Sequence, residues 1–347
     1  MQTEILQQIN YEEYDNFVRN NYSSFYQSKK HILFLEEMLG IKPHFVKVKD
    51  NNEIVGILPF FIKNSKYGKV LNSLPFFGSY GGIIGNKEYG KKILDELNNF
   101  HLENDILSSV MISDPYIKNE KLYEESFLFS LKEPKITQML DLNETTHEKL
   151  WNFLEKRVRT SIRKSEKLDV KIKKRTLDND IINEFYNMHK NRMEKIGGKI
   201  KPDNLFSNVK KCFKVEQDYE VLSAEMNGEN LAYLLVFYYN NSAVYYLPTF
   251  KPESKHTQST SLLIWKSIKD ALKRGIKYYN FGGTPSGLLS LYKFKKGWNC
   301  KDFSYNYYIN CDFERIKDIE ISQISKHYEF FYVFPFEKMN QKEKDIV

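Results

Sequence analysis

The segment Tyr278–Lys301 reads YYNFGGTPSGLLSLYKFKKGWNCK and gathers several residue types that do chemistry together. A short strand runs into a glycine-rich turn, then an amphipathic stretch in which aromatic residues alternate with lysines. Gly282 and Gly283 allow the backbone to approach a ligand or to turn tightly. Lys293 and Lys295 share one parity if the stretch is extended, and Lys296 has the other. A lysine stem packed among Tyr292, Phe294 and Trp298 would keep its ammonium at the surface. There it would neutralise a phosphate or the charge that builds on a carbonyl oxygen during acyl transfer. Lys295 is the preferred catalytic candidate, with Tyr292 beside the substrate. The same rings also suit an ordinary core.

A second concentration of charge lies between Lys156 and Arg175, with ten basic and two acidic residues. Lys156, Arg159, Arg163 and Lys167 recur at helical spacing and share a face. The strip reads as a solvated helix face or as a grip for pyrophosphate, a charged glycan or an RNA backbone. Arg159 and Arg163 are the residues whose forked donors suit phosphate. Lys255–Ser261, KHTQSTS, opens a helix. Thr257, Gln258, Ser259 and Thr260 are read as caps and, with Gly282 and Gly283, as a phosphate cradle for a donor. A glycine-rich acyl-CoA loop of the R/Q-x-x-G-x-G kind is absent from this stretch.

No G-x-S-x-G elbow, H-E-x-x-H pair or P-loop is present. His44, His189 and His256 stand apart and read as surface or packing residues. Direct transfer to an amine needs no covalent intermediate, only a positioned donor, the amine and a proton acceptor. Asp114, at a strand end, and Glu194 are the candidate acceptors. Cys212, Cys300 and Cys311 have no metal-ligand spacing, so no metal is expected, and a reduced intracellular setting is the simplest reading. A net charge of +7 on 347 residues does not demand nucleic acid; it favours anionic, phosphorylated small molecules or the edge of an anionic membrane. The N-terminus has no signal-peptide pattern and no run approaches a membrane span. A cytoplasmic protein, peripheral at most to the inner membrane face, is the expectation.

The elements that must position these residues follow from periodicity. Helices are predicted at 11–19, 30–39, 88–102, 146–168, 181–195, 202–212 and 257–274. Strands are predicted at 45–49, 54–62, 106–112, 136–141, 170–174, 219–226, 229–239, 242–249 and 277–281. Pro59 predicts an edge strand or a bulge. Glycines at 78, 81, 82 and 85 form a loop among aromatics. The two halves show a similar order of elements without a visible repeat. The tail holds one helix and the apolar stretch Phe330–Phe336, expected to dock on a domain surface, and residues 342–347 are expected to fray.

Asn280-Phe281-Gly282 followed by Tyr292-Lys293-Phe294-Lys295-Lys296-Gly297-Trp298 resembles the closing motif of the FemAB-like branch of the GNAT superfamily. That branch includes peptidoglycan-bridge aminoacyltransferases and BioF2-like acetyltransferase domains. The helix Ser261–Gly275, the basic helix Arg157–Lys167, Val55–Pro59 and Ser79-Tyr80-Gly81-Gly82 resemble further parts of the family in the right order. Trp298 departs from the pattern by following the glycine, and the coiled-coil insertion of some bridge-forming members is missing. The resemblance implies an α/β fold of α+β character: two tandem GNAT-like domains, each a mostly antiparallel mixed sheet flanked by helices, with a cleft between. The domains would span 1–134 and 135–311, with 312–347 a tail docking on the first. It implies that Lys295 binds phosphate or stabilises the transferred carbonyl, and that Tyr80, Gly81, Arg159 and Arg163 border the acceptor. The leading expectation is amide formation from acyl-CoA or acetyl-CoA onto an amine of a sugar, nucleotide-sugar or cell-envelope precursor. The alternatives are transfer from charged tRNA to a peptidoglycan precursor and a non-catalytic glycan or lipid-carrier binding module.

Overall fold

Runs of alternating apolar residues, closed by asparagine and glycine turns, build a chain in which strands and helices interleave. The computed structural model describes residues 1–77 and 80–334. Gly78 and Ser79 of the glycine loop, Pro335 and Phe336 of the apolar tail stretch, and the closing 342–347 lie outside the described residues. The elements in order are β1 (Gln2–Leu6), α1 (Tyr11–Asn20), α2 (Lys29–Leu39), β2 (Pro43–Asp50), β3 (Glu53–Ser65), β4 (Gly68–Asn72), β5 (Ile84–Gly85), α3 (Gly90–Glu103), β6 (Ile106–Ile112) and α4 (Glu120–Ser126). Then come β7 (Leu131–Asp141), α5 (His147–Phe153), α6 (Lys156–Lys167), β8 (Lys171–Arg175), α7 (Asn179–Ile196), α8 (Leu205–Cys212), β9 (Tyr219–Met226), β10 (Glu229–Tyr239) and β11 (Ser242–Phe250). The chain closes with α9 (Ser259–Lys273), β12 (Tyr278–Gly283), α10 (Leu289–Lys296), β13 (Lys301–Cys311) and α11 (Ile321–His327).

The chain divides into two compact units. One comprises Met1–Lys135 with the described part of Ser304–Val347, the other Ile136–Phe303. Each is an α/β unit with an open mixed sheet and flanking helices. In the first, the strand order is β1-β2-β3-β4-β6-β13, and only β4 and β6 run parallel. In the second, the order is β7-β12-β11-β10-β9-β8, and only β11 and β12 run parallel. Val46, Leu58, Phe60, Ile93 and Leu97 lie in the core of the first. Leu154, Val158, Ile162, Trp265 and Trp298 lie in that of the second.

Several sequence expectations change. The helix expected over 146–168 is two helices, because Leu154 takes an extended conformation (φ −62°, ψ 141°) and ends α5. The stripe Leu150, Leu154, Val158 and Ile162 is buried all the same. Residues 289–296 form α10 rather than a strand, so the parity argument for Lys293 and Lys295 does not apply. β3 is an interior strand. Pro59 falls between the residues that pair with β5 (Gly56, Ile57) and those that pair with β4 (from Phe61), where that side has no strand partner among the described residues. β1, β4, β5, α4 and β13 have no counterpart among the predicted elements.

The tail returns to the first unit. Phe330 O accepts from Phe76 N at 2.7 Å, and Val333 O from Ser108 Oγ at 2.7 Å. Asn72 Nδ2 donates to Phe331 O, and the Phe331 and Val333 side chains are fully buried. The segment thus completes the hydrogen bonding beside β4 and β6 as well as their packing. Phe331→Ala is expected to destabilise this unit by about 3–5 kcal/mol, read from urea unfolding monitored by circular dichroism. A loss under about 1 kcal/mol would mean that the tail does not belong to the core.

Candidate functional site

The second unit is organised around a separation of two strands. β11 and β12 pair over three residues only, Ser242↔Tyr278 to Val244↔Asn280. The ladder ends where β11 bulges: Tyr245 faces Val236 and Leu247 faces Leu235, so Tyr246 is extra. A bulge bends its strand, and bulges collect next to active sites. From Tyr245 to Phe250 the side of β11 away from β10 has no strand partner among the described residues. β12 also shifts register, against β7, between Asn280 and Gly283. Gly282 takes φ +77° there, a conformation that glycine adopts without steric cost.

Lys295 closes this second irregularity. It is 3% exposed, and its Nζ donates to Gly282 O and Gly283 O, each at 2.8 Å. Helical spacing in α10 turns it inward, so the ammonium expected at the surface is buried. Burial lowers its pKa to about 8, with the neighbouring Cys300 acting the other way. Its third N–H has no protein acceptor among the described residues. Asn280 Oδ1 accepts from Gly282 N at 2.7 Å and from Thr137 Oγ1 at 3.1 Å. Thr284 Oγ1 donates to Gln138 Oε1 at 2.8 Å. The buried Thr137, Gln138, Asn280 and Lys295, with the half-buried Thr284, thus hold the end of β12.

The remaining candidates of this unit fare differently. Thr257 is buried and works as a cap: its Oγ1 donates to Ser254 O at 2.7 Å and accepts from Ser259 N at 3.3 Å. Gln258 precedes α9 in the left-handed region (φ 59°) and donates to Lys255 O, leaving no side-chain cap of its own. Ser259 and Thr260 form the first turn of α9. Arg159 is spent on the end of α5, donating to Asn152 O at 3.0 Å, Trp151 O at 3.4 Å and Leu154 O. Arg163 is exposed, its guanidinium 5.3 Å from the Trp151 ring centre. Tyr292 is tied through its hydroxyl to Asp302 at 2.7 Å. Glu194 is exposed on the last turn of α7, and its carboxylate makes no hydrogen bond among the described residues.

A cluster of two cations, Arg192 and Lys201, around a neutral His189 went unread in the sequence. His189 and Arg192 are three residues apart on α7, which packs on β11. Lys201 follows in a loop, 7% exposed, with Nζ 4.8 Å from the Tyr246 ring centre. Arg192 lies 4.1 Å over Phe250. Burial alone lowers the Lys201 pKa to about 7. Burial, then Lys201 and Arg192, lower that of His189 to about 4; its Nε2 accepts from Lys201 N at 3.1 Å, and its Nδ1 is buried without a partner among the described residues. The i, i+3 spacing on α7 was visible in the sequence; the convergence of a loop lysine on β11 was not.

In the first unit, Asp114 and Tyr80 come together. Asp114 follows β6 and is 3% exposed. Its Oδ1 accepts from Tyr116 N at 2.7 Å, Tyr22 Oη at 3.2 Å and Ile117 N at 3.3 Å, while Oδ2 is buried without a partner among the described residues. Burial raises its pKa to about 7 against the pull of those bonds. Tyr80 is buried against Tyr26 and Tyr305, with ring centres 5.0 and 5.5 Å away. Burial, the neighbouring Tyr26 and Tyr116, and Asp114 all raise its pKa. A Cβ on Gly81 would lie 2.4 Å from Leu74 Cδ1, so this loop passes where no side chain fits. Among the described residues no group of three or more His, Cys, Asp or Glu side chains could hold a metal, and no helix is long and apolar enough to cross a membrane.

Residues 153–296 match the family model of the acetyltransferase (GNAT) domain. The crystal structure of FemX superposes with a TM-score of 0.70 at 14% identity, covering 88% of this chain and 97% of FemX. L-PGS from Bacillus licheniformis gives 0.59 at 11% identity, covering 93% of this chain and 97% of that one. A tandem GNAT protein from the clavulanic acid biosynthesis pathway gives 0.55 at 8% identity, covering 89% and 98%. No curated protein sequence matches. Residues 153–296 carry a domain of the acetyltransferase (GNAT) type, and the chain is related to FemX in fold.

Asp114 supplies a pH signature. Its carboxyl keeps a proton in the folded chain up to about pH 7, whereas the unfolded group releases it near 3.8. Its contribution to stability is therefore complete below about pH 4 and is lost as pH rises towards 7. Asp114→Asn is expected to flatten the fall in unfolding free energy across that window, measured by denaturant titration at several pH values. An unchanged slope would place the carboxyl in contact with water.

Proposed function

We propose that the chain is an N-acyltransferase that takes an acyl group from acyl-CoA, with acetyl-CoA the simplest donor, and passes it directly to an amine. The observation that carries this reading is the parting of β11 from β12 at the Tyr246 bulge, inside the region that matches the acetyltransferase model. The unpartnered edge of β11 offers backbone donors and acceptors to an extended, amide-bearing arm, as a sheet edge does to a peptide strand. The first turn of α9, with Gln258, Ser259 and Thr260, is the proposed seat of the donor's phosphates. A CoA thioester supplies an activated carbonyl, so the protein need only position it, receive the amine and accept one proton.

In this reading Lys295 fixes the end of β12, and its remaining N–H is available to a carbonyl oxygen or phosphate. Arg192 and Lys201, beside the neutral His189, suit an anionic group on the acceptor substrate, which fits a sugar, nucleotide-sugar or cell-envelope precursor carrying phosphate. Of the two carboxylates put forward as proton acceptors, Asp114 is favoured by a titration close to neutrality. Tyr80, Gly81 and Tyr292 are assigned to substrate contact. The tandem arrangement of two GNAT-like domains belongs to the same proposal; the single parallel pair in each unit supports it. A second reading, transfer from charged tRNA, is favoured by the exposed Lys156, Arg163, Lys164 and Lys167 of α6. It requires RNA binding that weakens steeply with added salt. Action in the cytoplasm, at or near the inner membrane face, completes the proposal.

Calorimetry with acetyl-CoA and longer acyl-CoAs, paired with thiol release in the presence of amines, tests the donor. Saturable binding is expected. Lys295→Met is expected to lower kcat by on the order of a hundredfold through displacement of the β12 end, with donor affinity little changed and the fold intact by circular dichroism. Absence of binding at millimolar acyl-CoA would sink the donor assignment. Unchanged kcat in the variant would remove Lys295 from the reaction.

A further inference from the structure

The outer surface of α5, α6 and α9 carries a depression of about 520 Å³ that the proposed transfer does not use. Its wall is aromatic. The His147 and Trp151 rings both pack on Trp265, with centres 4.9 and 5.4 Å away. Trp265 is buried, whereas Trp151 is partly and His147 well exposed. Two cations reach in over these rings, Arg163 at 5.3 Å from the Trp151 centre and Lys269 at 5.9 Å from that of Trp265. Two carboxylates, Glu148 and Glu166, and the Asn152 amide complete the lining. None of these four charged side chains forms an ion pair among the described residues.

The balance of charge selects the ligand. A phosphate or a membrane surface would meet two carboxylates, and a cationic ligand would meet Arg163 and Lys269. A polyhydroxylated ring suits all of them. Each hydroxyl both donates to a carboxylate and accepts from a guanidinium, ammonium or amide, and the ring's C–H face lies on an indole. We propose that this depression binds a neutral carbohydrate, one or two pyranose units of a glycan, independently of the acyl-transfer reading. Trp151 supplies the stacking surface, and Glu148, Asn152, Arg163 and Glu166 bond the hydroxyls. The volume lies within the range of small-molecule sites, about 300–1,000 Å³.

The chain has three tryptophans, and two of them wall the depression; the third, Trp298, is fully buried elsewhere in the unit. Intrinsic fluorescence therefore reports on occupancy. Titration of the full chain with chitotetraose and, separately, cellotetraose is expected to give a saturable change in emission with at least one of them. Trp151→Ala should abolish it. Glu166→Gln should weaken binding roughly tenfold, read by calorimetry. Phe153→Ala, at an exposed neighbour outside the depression, should leave it intact. The site is overturned if neither glycan produces a saturable change while the fold persists. It is equally overturned if uridine monophosphate or inorganic phosphate binds there instead and Arg163→Ala removes that binding. Thiol release from acyl-CoA, followed in the same variants, keeps this outcome separate from that of the transferase reading.

Discussion

The bond pattern of one buried ammonium sets the geometry of the second unit. β12 shifts register against β7 between Asn280 and Gly283, and Lys295 donates to the carbonyls of both Gly282 and Gly283. Carbonyls left in the interior without a donor are costly, and so is a buried charge without hydrogen bonds. Each offsets the other here. Asn280, Thr137, Gln138 and Thr284 extend the arrangement through side-chain bonds to β7. The strand end is held rigidly for this reason, while the neighbouring β11 is released from its partner three residues into the pair.

The first unit treats the end of its own parallel pair in a related way. Crevices at the carboxyl ends of parallel strands are where open α/β sheets bind ligands. Asp114 stands just past the carboxyl end of β6, as Thr284 stands just past that of β12. One end is built around a carboxyl that burial keeps partly protonated near neutrality, the other around an amine that burial makes easier to deprotonate. Low dielectric acts on opposite charges with opposite sign.

Much of this was written in local sequence. Asn227-Gly228 and Asn240-Asn241 join β9, β10 and β11 as their turn chemistry requires, and Gly197 ends α7 in the left-handed conformation. The pairing of Lys295 with the Asn280-Phe281-Gly282 segment was legible as a motif, but its geometry was not. Lysines at 293, 295 and 296 fit a strand or a helix over so short a stretch. The helix wins because Lys295 finds two carbonyls only by turning inward. Arg159 misled for a related reason: the break at Leu154 leaves the carbonyls at the end of α5 without partners, and the nearest fork serves them. Lys201 carried no signal, since its importance lies in contacts with β11 that sequence spacing does not encode. β13 was missed because its alternation, Phe303, Tyr305, Tyr307 and Ile309, follows the aromatic motif directly.

The return of residues 304–334 to the first unit has a temporal consequence. Residues 136–303 form their unit from one uninterrupted stretch, so it can close as soon as that stretch leaves the ribosome. The other unit waits. Its first 135 residues emerge early with β6 still an open edge, and only the later arrival of β13, followed by Phe331 and Val333, covers it. During translation the earlier-made portion is thus the later to mature, with its apolar strands in need of shielding until the last segment arrives.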